Sequence, residues 1–182
     1  MKFLHIADVH LGLAPDAGKP WSSRRQQDIW DSFREVLAVA EREKVDLVLI
    51  AGDLFHRQPL MRELKQVNEL FAGLTRAKVA LIAGNHDYMH PRSNYRGFSF
   101  AENVIFFDRE QIRGVELPEY QACIYGLSYW HKEITDGLYD ALRPKDPAKI
   151  NILLAHGGDA KHIPMSEAAL RQNGFDYVAC GH

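Results

Sequence analysis

Five stretches place Asp, His or Asn directly behind a short apolar run: Asp8-Val9-His10, Gly52-Asp53, Gly84-Asn85-His86-Asp87, His156-Gly157 and Gly181-His182. Oxygen and nitrogen donors without a thiolate suit borderline-to-hard divalent ions such as Mn, Fe or Zn. The set holds more donors than one ion with an open position needs. It therefore points to two ions about 3.5–4 Å apart that share a carboxylate, with Asp53 as the candidate bridge. Such a pair brings a water's pKa near neutrality and neutralises an in-line displacement at phosphorus, so the expected nucleophile is a hydroxide and no side-chain base is required. Asp-x-His or Gly-Asp alone is an ordinary turn. Their occurrence in order at successive strand ends is something no packing requirement explains.

The elements that must position these residues are legible from hydrophobic periodicity. Short β-branched-rich runs at 3–7, 47–51, 79–83, 150–155 and 177–179 read as buried strands ending at polar loops. Ile29, Phe33, Val36, Leu37 and Ala40 recur at helical spacing within 22–44, with Ser22 or Ser23 as the expected cap. Leu64, Val67, Leu70, Phe71 and Leu74 repeat the pattern. The first eighty-odd residues thus alternate strand and helix, the α/β order. In an open α/β sheet, residues beyond the carboxyl ends of the strands converge on one crevice, which turns scattered donors into one site. The runs at 104–107, 112–115 and 121–125 read as antiparallel strands and hairpins.

Length and composition bound the reading. The 182 residues are 46% hydrophobic and 25% charged, as expected of one globular domain, and no repeat or linker divides them. Cys123 and Cys180 form no CxxC, which argues against a disulfide scaffold and for a reducing, cytoplasmic setting. No signal peptide is visible, and no apolar run approaches the ~20 residues of a membrane span. A net charge of −2 argues against polyanion binding by bulk charge, so any nucleic acid must be held by local contacts.

Taken together, Asp8-x-His10, Gly52-Asp53, Gly84-Asn85-His86-Asp87, His156-Gly157 and Gly181-His182 resemble the five signature blocks of the calcineurin-like metallophosphoesterase superfamily, across nearly the whole chain. Leu4 to Gly12 and Gly52-Asp53-Leu54-Phe55-His56 are similar to the SbcD-type DNA-repair exonucleases. The resemblance implies an α/β, metallophosphoesterase-like β-sandwich with mixed sheets flanked by helices. It implies that Asp8 and His10 bind one metal, that Asp53 bridges, and that Asn85, His156 and His182 bind the other, Mn being the first expectation and Fe, Zn or Mg the alternatives. His86 would stand beside the leaving group as acid or electrostatic stabiliser, His56 would contact substrate phosphate, and Asp87 would orient a neighbour. The implied substrate is DNA, and the implied partners are a coiled-coil ATPase of the SbcC kind and a second copy of the chain.

The sequence departs from the family in its last block, which normally reads Gly-His-x-His, whereas here His182 is the final residue. The expectation is a nuclease domain over 1–182 lacking its C-terminal strands, with the site of Asp8, His10 and Asp53 the weaker of the two. Two rivals stand beside the nuclease: a phosphoesterase of the same superfamily acting on a small molecule, and a non-catalytic metal-binding fragment. Among other residues, His5 reads as a hydrogen-bonded core histidine, and His90, His131 and His162 as exposed. Tyr125, Tyr129 and Trp130 read as packing before base stacking, Trp21, Arg24 and Arg25 as a solvated helix start or a phosphate contact, and both cysteines as small buried hydrophobes.

Overall fold

The alternation of Leu47, Leu49 and Ala51 with Val48 and Ile50 governs the architecture, because both sets are fully buried and each needs its own cover. The computed structural model describes residues 1–182. Its first sheet, in the order β1 (Phe3–Ile6), β2 (Leu47–Ala51), β3 (Lys78–Ile82) and β4 (Val104–Phe106), is parallel throughout. The second contains β5 (Arg113–Leu117), β6 (Ala122–Gly126), β7 (Ile150–His156) and β8 (Tyr177–Gly181), with β5 antiparallel to β6 and the remaining neighbours parallel.

Three apolar layers follow. Val48, Ile50, Val79 and Leu81 point at helices α1 (Ser22–Arg42) and α2 (Met61–Ala72), meeting Phe33, Leu37, Leu64 and Phe71. Leu47, Leu49, Ala80 and Ile82 face Ile124, Ile152 and Leu154 across the gap between the sheets. Leu153 and Ala155 lie on the far side, beneath Tyr139 and Ile163. A strand covered on both faces has no polar face to show, which is why β2 reads as a continuous apolar run.

The structure corrects three local expectations. The run at 104–107 does not join the antiparallel group: β4 pairs with β3 in parallel, with Val79 opposite Val104. More than twenty residues separate these strands, enough for the long crossover that parallel pairing demands. Neither Ser22 nor Ser23 caps α1. Trp21 occupies that position without a side-chain cap, and Asp16 instead accepts from Trp21 Nε1 (3.1 Å) and Arg25 Nη1 (2.5 Å). Cys123 is buried as expected, but Cys180 is exposed on β8.

Candidate metal centre

The segments after β1 and β2 run side by side. The amides of Asp8, His10 and Leu11 donate to the carbonyls of Gly52, Asp53 and Leu54 at 3.2, 3.0 and 2.9 Å, and His56 N–H returns a bond to Leu11 O at 3.0 Å. Asp8, His10 and Asp53 all adopt left-handed backbone, with φ of 52°, 52° and 50°. That conformation costs an L-residue roughly 1–2 kcal/mol, so the strain is concentrated at three candidate ligands. Gly84 serves by what it lacks: a Cβ there would lie 2.6 Å from Asp53 N and 2.7 Å from His156 Nε2, and closer still to Asp53 Oδ1.

His156, fully buried at the end of β7, donates from Nδ1 to Ala51 O at 2.9 Å, since a carbonyl can only accept. Its Nε2 therefore presents a lone pair when the ring is neutral, yet it faces Asn85 Oδ1 at 2.9 Å and Asp53 Oδ2 at 3.4 Å. Three electron-rich atoms turned toward one point need a cation between them or a proton on the ring. A divalent ion fits this donor set. With the proton as the substitute, burial opposes a charged ring, but the hydrogen bond and charge of Asp53 outweigh it and raise the His156 pKa. Burial alone would raise the Asp53 carboxyl, and His156 brings it below its usual value.

Ligand atoms of Asp8, His10 and Asp53 lie within 4.8 Å of one another, and so do those of Asp53, His156 and His182. Asp53 belongs to both groups. Asn85 joins the second group through His156.

A third set, His10, His56 and His86, adjoins the first. The rings of His56 and His86 stack at 4.9 Å, and His10 meets both edge-on. His86 donates its amide to Asp53 Oδ1 (2.9 Å) and Nδ1–H to His56 O (3.0 Å), which leaves Nε2 as its free ring atom. Burial lowers the pKa of both His10 and His56, and the neighbouring histidines add to it. Buried Nδ1 atoms of both rings find no protein partner.

Asp87 stands behind the site. It is fully buried and takes Gly84 N–H at 2.8 Å on one oxygen, and Phe55 N–H at 3.1 Å and Tyr95 O–H at 2.9 Å on the other. It thereby ties the Gly84–Asp87 loop to the segment after Asp53, a positioning role. Burial, then the charge of Asp53, pushes its pKa up to about 6.

Sequence reasoning missed Tyr95, Asp159 and His162. His182 donates its amide to Asp8 Oδ2 (2.9 Å), and its Nε2 lies 2.9 Å from Asp159 Oδ2. Asp159 is held in turn by the amides of Lys161 and His162 and by the His162 ring, 2.7–2.9 Å away. A carboxylate that bonds one ring nitrogen of a ligating histidine fixes the ring and raises the basicity of the other nitrogen. The Asp-x-x-His spacing of Asp159 and His162, close behind His156, was the available signal. His162 is thus not exposed as expected, its side chain being 15% accessible. His90 is half-buried and accepts from Arg92 N–H, whereas His131 is exposed and paired with Glu110. His5 bonds Tyr177 through Nδ1 at 3.1 Å, the core role expected of it.

Comparison with known sequences agrees with this geometry. The family model described as calcineurin-like phosphoesterase matches residues 1–182. The uncharacterized metallophosphoesterase YhaO of Bacillus subtilis is 29% identical over 201 aligned positions, covering 100% of this chain and 48% of its own. The DNA double-strand break repair protein Mre11 of Saccharolobus solfataricus is 27% identical over 100% of this chain and 49% of its own. Mre11 of Aeropyrum pernix is 44% identical over 47% of this chain and 21% of its own. The chain spans about half the length of the relatives it matches end to end.

Proposed function

We propose that this chain, which belongs to the calcineurin-like phosphoesterase family, is the catalytic part of a metal-dependent phosphodiesterase that hydrolyses DNA. The carrying observation is the place of Asp53 in two adjoining donor groups, with His86 grouped beside the first through His10. In this reading Asp8, His10 and Asp53 hold one ion, and Asp53, Asn85, His156 and His182 the other, with Mn as the first candidate. Two divalent ions so held supply charge neutralisation at the phosphoryl group and a water acidic enough to attack at neutral pH.

The chain's own residues do the rest. His86 is anchored at Nδ1 by His56 O, which leaves Nε2 to serve the departing oxygen as acid or electrostatic stabiliser. His56 stacks on His86 and offers its ring to a substrate phosphate. Asp87 holds both loops in register and does not touch substrate. DNA as the substrate is supported by the break-repair relatives and by His56 following Gly52-Asp53-Leu54-Phe55. A coiled-coil ATPase of the SbcC kind, a second copy of the chain and a cytoplasmic setting belong to the same reading. No helix is long and apolar enough to cross a membrane.

The test is release of end label from linear duplex DNA with Mn²⁺, run against chelator and against His86→Ala, with an activated phosphodiester ester as control. Cleavage that needs both metal and His86 supports the nuclease. Ester hydrolysis without DNA cleavage moves the substrate to a small molecule, and silence on both leaves a metal-binding module.

A further inference from the structure

The largest groove of the molecule, about 1110 Å³, is not at the metal centre. It opens between β4 and β5, the edge strands of the two sheets. Its walls carry Arg96, Arg109, Arg113, Arg143 and Lys145 against a single carboxylate, Asp108. Lys+Arg and Asp+Glu are nearly balanced over the chain, 22 to 24, so five cations to one acid is a segregated patch. Asp108 reaches only Arg113, at 4.0 Å. All five cations are exposed, and none of the other four pairs with a carboxylate.

Beneath the cations lie the half-buried rings of Phe98, Phe100, Phe106 and Trp130. Phe98 meets Phe100 at 4.9 Å, Phe100 meets Phe106 at 5.3 Å, and the Arg96 guanidinium lies 4.5 Å over the Trp130 ring. A cationic rim over aromatic faces is the combination that binds a charged backbone and stacks its bases. Arg96 and Trp130 also line a smaller cleft with Tyr88 and His90, residues directly beyond the Asn85-His86-Asp87 loop. Tyr95, in the groove wall, donates to Asp87 behind that loop. The groove therefore adjoins, through the cleft of Tyr88 and His90, the segment that follows the Asn85-His86-Asp87 loop.

We propose that this groove binds a single strand of nucleic acid and delivers it along Trp130 and His90 toward the metal centre, a proposal that rests on the DNA reading above. A duplex keeps its base faces stacked inside and cannot use the sunken rings. An acidic peptide would satisfy the cations and leave the rings without a partner. The bases of an unpaired strand engage both layers at once.

Fluorescence anisotropy of a labelled oligothymidine, with chelator present so that nothing is cut, tests it. The triple charge reversal Arg96→Glu, Arg109→Glu, Lys145→Glu should flatten the slope of log affinity against log salt by about 2, at roughly 0.7 for each phosphate no longer neutralised. Trp130→Leu should weaken binding about tenfold. Both variants should keep wild-type metal-dependent ester hydrolysis, since none of these residues is placed in the metal centre. Binding unchanged by the reversal overturns the groove and leaves the nuclease standing. Equal, equally sensitive binding of duplex overturns the single-strand assignment. Failure of the wild-type chain to bind any oligonucleotide while it hydrolyses ester overturns both the groove and the DNA reading. A change of oligomeric state in the reversal variant without a change in oligonucleotide affinity makes the face a protein interface instead.

Discussion

Gly84→Ala isolates the closeness of the ligand loops, because it adds one methyl group and nothing else. The Gly84 backbone lies outside the left-handed region, so alanine is free to adopt it. Its methyl carbon would lie 2.6 Å from Asp53 N, 2.7 Å from His156 Nε2 and nearer still to Asp53 Oδ1, where ordinary contacts begin near 3.4 Å. Either the shared carboxylate or the whole loop must withdraw by roughly 1 Å, a displacement that can cost about 100-fold in catalysis. Overpacking of this kind costs stability about 1–3 kcal/mol. Mn²⁺ titration calorimetry should show at least a tenfold loss of affinity, and ester hydrolysis should fall about 100-fold, while circular dichroism shows a folded protein. Wild-type metal affinity in a folded Gly84→Ala variant would refute the assignment of Asp53 and His156 to one ion.

Removing His86 and removing Asn85 should separate cleanly. His86→Ala should lower turnover about 10²–10⁴-fold with metal affinity little changed, whereas Asn85→Ala should weaken metal binding itself; calorimetry giving the reverse order would sink both roles. Asp159→Asn should weaken binding at the His182 site about 10–100-fold by freeing the ring, and a Co²⁺ absorption spectrum identical to wild type would argue that Asp159 orients nothing. The raised pKa of Asp87 means that the folded state holds its proton more tightly than the unfolded chain. The stability this contributes is full below about pH 4 and is lost as pH rises through about 6. The shift of about two units amounts to about 3 kcal/mol in the metal-free protein. Urea unfolding at pH 4 and 7 should show wild type losing about 2 kcal/mol more than Asp87→Asn, most of that contribution, and a pH-independent difference would place the titration elsewhere.

The types of the donors and their order at strand ends were legible in the sequence because both are local properties. An apolar run that stops at a polar residue announces a strand end, and Asp, His and Asn carry their chemistry wherever they stand. Periodicity likewise located α1, α2 and the strands β1 to β8, since a face that must be buried repeats at the period of its element. Partnership was not legible. β4 joined the parallel sheet because its long connection returned it beside β3, a matter of topology that leaves no trace in three residues of strand. The crevice is lined by two sheets, and the pairing of His156 with Ala51 and Asn85 exists only because the ends of β2, β3 and β7 meet. The left-handed backbone at Asp8, His10 and Asp53 is imposed by the neighbouring loop. A chain with nearly balanced charge looks unsuited to a polyanion, yet folding brings Arg96, Arg109 and Lys145 to one groove in which Asp108 is the single carboxylate of the lining. Composition sums charge over the chain, and only the fold distributes it in space.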